Sequence, residues 1–376
     1  MNTYKNNPST SSYSRLPGID FLRAFAALWV FLFHYMEIAP AQLKPTVTSY
    51  YHILIGWNGV DLFFVISGFL IGTIIYRKSE RIKPFMIRRF FRIYPAYIFI
   101  VILCLIVNKP YLVDNSLLMI SHLFMFNNLI PGYGGAINGV LWTLGAEFQF
   151  YILAALTLLW PRKGKYFWYY LGSIILIASI IYRWIIFDFF QSPSERFFLS
   201  TQLPGMLGLF GLGFLVVQIR QHVINHIERL FPLFLVFGIG IFFIYCEWLR
   251  PHIVNYWADP ESVIWGRFYS GIVFSYLVLI FSCTPDYIGK VLFKSGLVFI
   301  GEISYGIYLT HLFFMDLLRP YEETFFQFHW SVYAMSLTSL TLLSSAIIFF
   351  TIEKPFIGLG RKISSSSDLK NRKKQS

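Results

Sequence analysis

Ten stretches of this chain stay apolar for about twenty residues each, and that repetition constrains the fold more than any motif does. At 1.5 Å of rise per residue, about twenty residues cross the roughly 30 Å of a bilayer's hydrocarbon. Inside it, backbone polar groups must be satisfied within the helix itself. The stretches cover residues 18–38, 57–77, 88–108, 141–160, 166–187, 198–218, 230–248, 266–283, 297–317 and 332–353. Only 13% of residues are charged, whereas 56% are hydrophobic and 20% aromatic, with a mean hydropathy of +0.58. A soluble domain carries roughly 25% charged residues. The sequence therefore predicts an all-α polytopic membrane bundle of about ten transmembrane helices. SLLMISHLFMFNNLI, residues 116–130, is apolar but short and runs into IPGYGGAING, which reads as a re-entrant or interfacial piece.

The net charge of +12 does not point to nucleic acid, because the basic residues sit in short loops between apolar runs. Ten spans put both termini on one side. Placing them in the cytoplasm puts the basic runs 77–89, 161–165, 220–229 and 369–376 inside, and leaves mainly Lys44, Lys109, Arg196, Arg250 and Arg319 outside. The positive-inside rule prefers that orientation. Residues 1–16 read as a disordered cytoplasmic tail, residues 17–358 as one membrane domain, and residues 359–376 as a basic cytoplasmic tail. No small-residue cleavage site follows a short apolar core, so the first span is expected to be an uncleaved anchor. Cys104, Cys246 and Cys283 fall in apolar runs at unrelated spacings, with no metal or disulfide pattern.

Ionisable groups inside such spans are expensive, roughly 2.5–3.5 kcal/mol even on insertion scales, and so mark function. Arg23 and His34 lie on one face of the first span, separated along its axis by about 16 Å at 1.5 Å per residue. Snorkelling to the two interfaces is the plain alternative, and it suits Arg23 better than His34. The topology gives depths. His34, Asp61, Glu147 and His311 all fall in the outer half, where a carboxylate beside a histidine would fix its tautomer and raise its basicity. Arg88, Arg89 and Arg92 open the third span at the cytoplasmic boundary, level with Arg23. Arg89 and Arg92 share a face and point deeper, whereas Arg88 reads as a headgroup anchor. Arginine forks match phosphate oxygens, so anion capture is expected inside and acid–base chemistry outside. Gly68 with Gly72, and Gly205 to Gly213, form small-residue spacings that mean close helix packing. No P-loop, GxSxG or HExxH pattern occurs.

Six segments, in order, resemble the acyltransferase-3 family of integral membrane acyltransferases: GIDFLRAFAALWVFLFH, GVDLFFVISGFLI, RRFFRIYPAY, WTLGAEFQFY, ISYGIYLTH and IEKPF. The family includes bacterial O-antigen and exopolysaccharide O-acetyltransferases. The resemblance implies transfer of an acyl group, usually acetyl from acetyl-CoA, to a sugar hydroxyl of O-antigen, lipopolysaccharide or exopolysaccharide, at the outer face of a bacterial inner membrane. On this chain it makes His34 the key histidine, Arg23 the basic residue of the first helix, Arg89 and Arg92 the arginine pair of the third span, and Glu147 the acidic residue of the tryptophan motif. Catalysis is thus expected from His34 with Asp61 or Glu147, donor phosphates on Arg89, Arg92 and Arg23, and acceptor contacts from His311, Trp142 and Asn127. No metal is called for. The expected partners are the bilayer and a glycan or lipid-linked sugar, with homo-oligomerisation left open. Many family members carry an added esterase-like domain; without one, transfer would be completed alone or with a partner protein. The alternatives are a flippase for a lipid-linked sugar, or an acyltransferase acting on a small metabolite.

Overall fold

The computed structural model describes residues 16–45, 51–76, 81–159 and 166–372. The tail expected over residues 1–16, the basic run 161–165 and parts of the other basic runs lie largely or wholly outside the described residues. Regular structure among the described residues is helical, without strands, as the apolar runs require. The principal helices are α1 (Pro17–Ile38), α2 (Gly59–Tyr76), α3 (Ile82–Val107), α4 (Trp142–Thr157), α5 (Phe167–Phe189), α6 (Leu203–Arg229), α7 (Phe231–Leu249), α8 (Pro260–Ser282), α9 (Ser304–Leu318), α10 (Trp330–Ile348) and α11 (Lys354–Arg372).

Among the described residues, eight stretches are long and apolar enough to cross a membrane, and they take in α1, α2, α3, α5, α6, α7, α8 and α10. The two other predicted spans are shorter. α4 has 16 residues, about 24 Å at 1.5 Å each. The ninth run breaks at Ile303 into Leu297–Glu302 and α9, where Ser304 Oγ donates to the Gly301 carbonyl at 2.8 Å. Residues 116–130 form an eight-residue helix, Ser116–Leu123, and a single turn, too short to span.

α1 lies at the centre, against α2, α8 and α9. α2 crosses α6 through glycines: a Cβ on Gly68 would strike the Phe210 backbone, and one on Gly213 would strike the Val65 carbonyl. The small-residue spacings therefore do what their pattern predicted, since backbones approach this closely only without side chains. α10 passes into α11 through a five-residue π-turn, Phe349–Glu353. The segment expected as a C-terminal tail from residue 359 continues α11 as helix to Arg372. It is held along α3, where Phe91 stacks on Phe356 at 6.3 Å and Gly360 sits against the Phe91 side chain.

Candidate active site

α1, α2, α3, α4, α9, the π-turn and α11 enclose a cavity of about 560 Å³. Arg89 and Arg92, three apart on one face of α3, stand on its wall, and Arg88 does not line it. Arg23 lines it from α1, paired with Asp20 at 3.5 Å, and is in electrostatic reach of Arg92, Glu353 and Glu147. The Arg89 guanidinium lies 5.6 Å from the Phe85 ring and 5.7 Å from the Tyr151 ring. Lys354 and Arg361 add charge from α11, so cations outnumber the lining acids Glu147, Glu302 and Glu353. A surplus of positive charge in a walled, low-dielectric space attracts polyanions.

Glu147 belongs to this arginine region. Its carboxylate accepts from Ser67 Oγ at 2.8 Å and from the Tyr151 hydroxyl at 2.5 Å. It is not the partner of His34. That partner is His311, whose Nε2 lies 3.1 Å from His34 Nδ1, with ring centroids 5.0 Å apart. The tautomers follow from the remaining contacts. His311 Nδ1 faces the Ile307 carbonyl at 3.0 Å and so carries the hydrogen, which leaves Nε2 as an acceptor. His34 Nδ1 faces two acceptors, the Val30 carbonyl at 3.0 Å and His311 Nε2, so it carries the hydrogen too. In the neutral pair the His34 Nε2 therefore bears a lone pair, and it bonds to no described residue. His311 is fully buried, with its ring 6.0 Å from that of Tyr308. Neither histidine lines the cavity, but Tyr308 and Thr143 do, and their hydroxyls are 2.9 Å apart. The cavity thus runs from the arginines to a Tyr308–Thr143 bond that stands beside the histidine pair.

Three sequence-predicted residues lie elsewhere. Asp61 is fully buried and pairs with Arg267 of α8, and its other oxygen accepts from Ser270 Oγ at 2.7 Å. With both oxygens engaged it cannot orient His34. Trp142 points at Phe197, with ring centroids 6.5 Å apart, and packs over Gly134. Asn127 is buried and donates to the Gly134 carbonyl at 3.1 Å, which pins the loop before α4. Neither lines the cavity.

The sequence profile described as an acyltransferase domain matches residues 16–350. The chain belongs to the acyltransferase-3 family. A relative of this chain in Staphylococcus aureus (strain COL), named as an O-acetyltransferase, is 26% identical over 392 residues, covering 95% of this chain and 59% of that protein. Nodulation protein 10 of Rhizobium leguminosarum bv. viciae is 25% identical over 356 residues, 88% of this chain and 91% of its own. A peptidoglycan O-acetyltransferase of Listeria monocytogenes serovar 1/2a is 27% identical over 352 residues, 84% of this chain and 52% of that protein. The chain thus spans little more than half the length of the staphylococcal and listerial relatives. No solved structure matches it.

In this acyltransferase-3 family chain several lining residues escaped the sequence reading: Ser67, Thr143, Tyr151, Tyr305, Tyr308 and Glu353. Three had a signal. Thr143 and Tyr151 flank Glu147 at helical spacings of four, and Tyr308 precedes His311 by three, so each shares a face with a residue already singled out.

Proposed function

We propose that this chain is a membrane O-acyltransferase that takes an acyl group, acetyl, from acetyl-CoA on the cytoplasmic side and passes it to a hydroxyl of a cell-surface glycan. One observation supports this most: Arg23, Arg89 and Arg92 line a single cavity whose far end abuts the His34–His311 pair. The donor's phosphates would rest on Arg89 and Arg92, with Arg23 behind them. The pantetheine arm would run along α1 over the roughly 16 Å between Arg23 and His34. Parting of the Tyr308–Thr143 bond would admit the thioester to the histidines. His34 Nε2 would then take the proton of the acceptor hydroxyl as its oxygen attacks the thioester carbonyl. The carbon–sulfur bond breaks, and the CoA thiolate leaves with that proton. The same nitrogen could instead attack first and form an acyl-imidazole, which the hydroxyl then resolves. Trapping a labelled acetyl group on His34 in the absence of acceptor separates the two routes. The listerial relative's name specifies a cell-wall glycan as its acceptor, which favours a glycan here over a small metabolite.

The reading is tested by comparing surface-glycan O-acetylation, by NMR or mass spectrometry, between cells with and without the gene. Purified protein in nanodiscs should release free CoA thiol from acetyl-CoA only when acceptor is present, or in one burst if an acyl-imidazole forms. A protein that moves lipid-linked sugar without consuming acetyl-CoA would overturn it. Within this scheme, Arg89→Gln and Arg92→Gln are each expected to raise KM for acetyl-CoA about tenfold to a hundredfold with much smaller changes in kcat. A hydrogen bond to a charged group contributes roughly 1.5–3 kcal/mol. Arg88→Gln, off the cavity wall, should change KM less than about twofold, within the usual range for surface sites. Equal damage from all three substitutions would refute the placement of the donor.

A further inference from the structure

The charged cavity contains one carboxylate that the protein leaves without a bond. Glu353 is only 5% exposed, and it accepts no hydrogen bond and forms no ion pair with any described residue. Its Oε1 is sealed without a partner, and Oε2 is the oxygen left open to the cavity that Glu353 lines. Arg23 and Arg92 lie close enough to act on it electrostatically but not to bond it. Burying an ionised carboxylate without hydrogen bonds is among the costlier arrangements a fold can hold. Glu353 also closes the π-turn, a rare conformation that occurs disproportionately at functional sites. Beyond the turn, Lys354, Gly358 and Arg361 follow it along the same wall at spacings of four and three.

An ionised carboxylate only accepts, so a ligand that meets the open oxygen does so through an N–H or O–H. Lys354 and Arg361 are exposed, whereas Glu353 is buried within electrostatic reach of Arg23 and Arg92. Phosphates held by the cations would leave the arm of the donor to pass Glu353. That arm carries two amide N–H groups on the path to the thioester. We propose that Glu353 is a specificity-determining residue that accepts a hydrogen bond from a pantetheine amide of the acyl donor. This rests on acetyl-CoA being the donor.

The test uses the full-length protein in nanodiscs, with CoA and two CoA analogues in which one or the other pantetheine amide N–H is replaced by an ester oxygen. Wild-type protein is expected to bind one analogue about tenfold more weakly than CoA, in line with the loss of a charge-assisted bond. Glu353→Met should bind CoA about tenfold more weakly and no longer distinguish that analogue from it. Glu353→Gln keeps an acceptor oxygen and should retain most of the discrimination. Equal wild-type affinity for CoA and both analogues overturns the proposal, as does undiminished discrimination in Glu353→Met. A Glu353 that only balances charge would give ratios of one throughout, and its neutralisation would tighten binding of the polyanion. If wild-type protein binds no CoA compound at all, the donor reading fails first and this inference with it.

Discussion

Alanine in place of His34 is expected to slow O-acyl transfer about a thousandfold while leaving acetyl-CoA affinity unchanged. A positioned general base contributes roughly 10²–10⁴ in rate, and His34 Nε2 is the lone pair that the pair's hydrogen bonds leave available. In the proposed scheme the donor's phosphates would rest on cavity arginines, whereas His34 does not line the cavity, so binding should survive. In the proposed scheme His311 would act through His34, as a positioning residue: its Nε2 faces His34 Nδ1 at 3.1 Å and would steady the imidazolium that forms in the transition state. His311→Phe is therefore expected to lower kcat about tenfold to a hundredfold at unchanged KM for the donor, and a double variant should be no worse than His34→Ala. A merely structural His311 would instead lower the yield of folded protein and leave kcat per folded molecule intact. His34→Ala protein, made at normal level, that still acetylates the surface glycan at the wild-type rate would sink the mechanism.

What could be read without the structure was whatever depends on one helix at a time. Helical spacing put both Arg88 and Arg89 on the side of Arg92, at spacings of four and three; the cavity takes in Arg89 and Arg92 and omits Arg88, as the deeper placement of the pair led one to expect. Depth along an axis was equally legible, which is why His34 and His311 were placed at one level and do meet. Depth says nothing of direction across the bundle. Asp61 and Glu147 were grouped with the histidines on depth alone, yet α2 turns Asp61 toward α8 while Ser67, on the same helix, meets Glu147. Arg267 and Ser270, three apart on α8, formed a polar face that called for a carboxylate, but only packing identifies which one. Glu353 stood in the IEKPF segment, but the wall it faces was not legible. The π-turn adds a residue to one helical turn and shifts the phase of everything after it, so a regular period mispredicts the wall that α11 presents.

The Asp61–Arg267 pair yields the other large effect, and it falls on stability. Asp61 is fully buried and Arg267 is 6% exposed, with its guanidinium 5.6 Å from the Trp57 ring. Removing one member leaves the other charge buried and uncompensated, which costs about 3–5 kcal/mol. Asp61→Leu and Arg267→Met are therefore each expected to lower the thermal midpoint in detergent sharply and to deplete the monodisperse fraction on size-exclusion chromatography. Replacing both at once removes the buried charges together, and swaps of that kind are often neutral or stabilising. The double variant Asp61→Leu/Arg267→Met should accordingly recover folded protein to near the wild-type midpoint. It should also recover transfer activity, because His34 takes its orientation from His311 and not from Asp61. A double variant that folds well but transfers nothing would restore Asp61 to the chemistry, as its depth in the sequence suggested. One that folds and acetylates would establish that this carboxylate holds α2 against α8 and does no more.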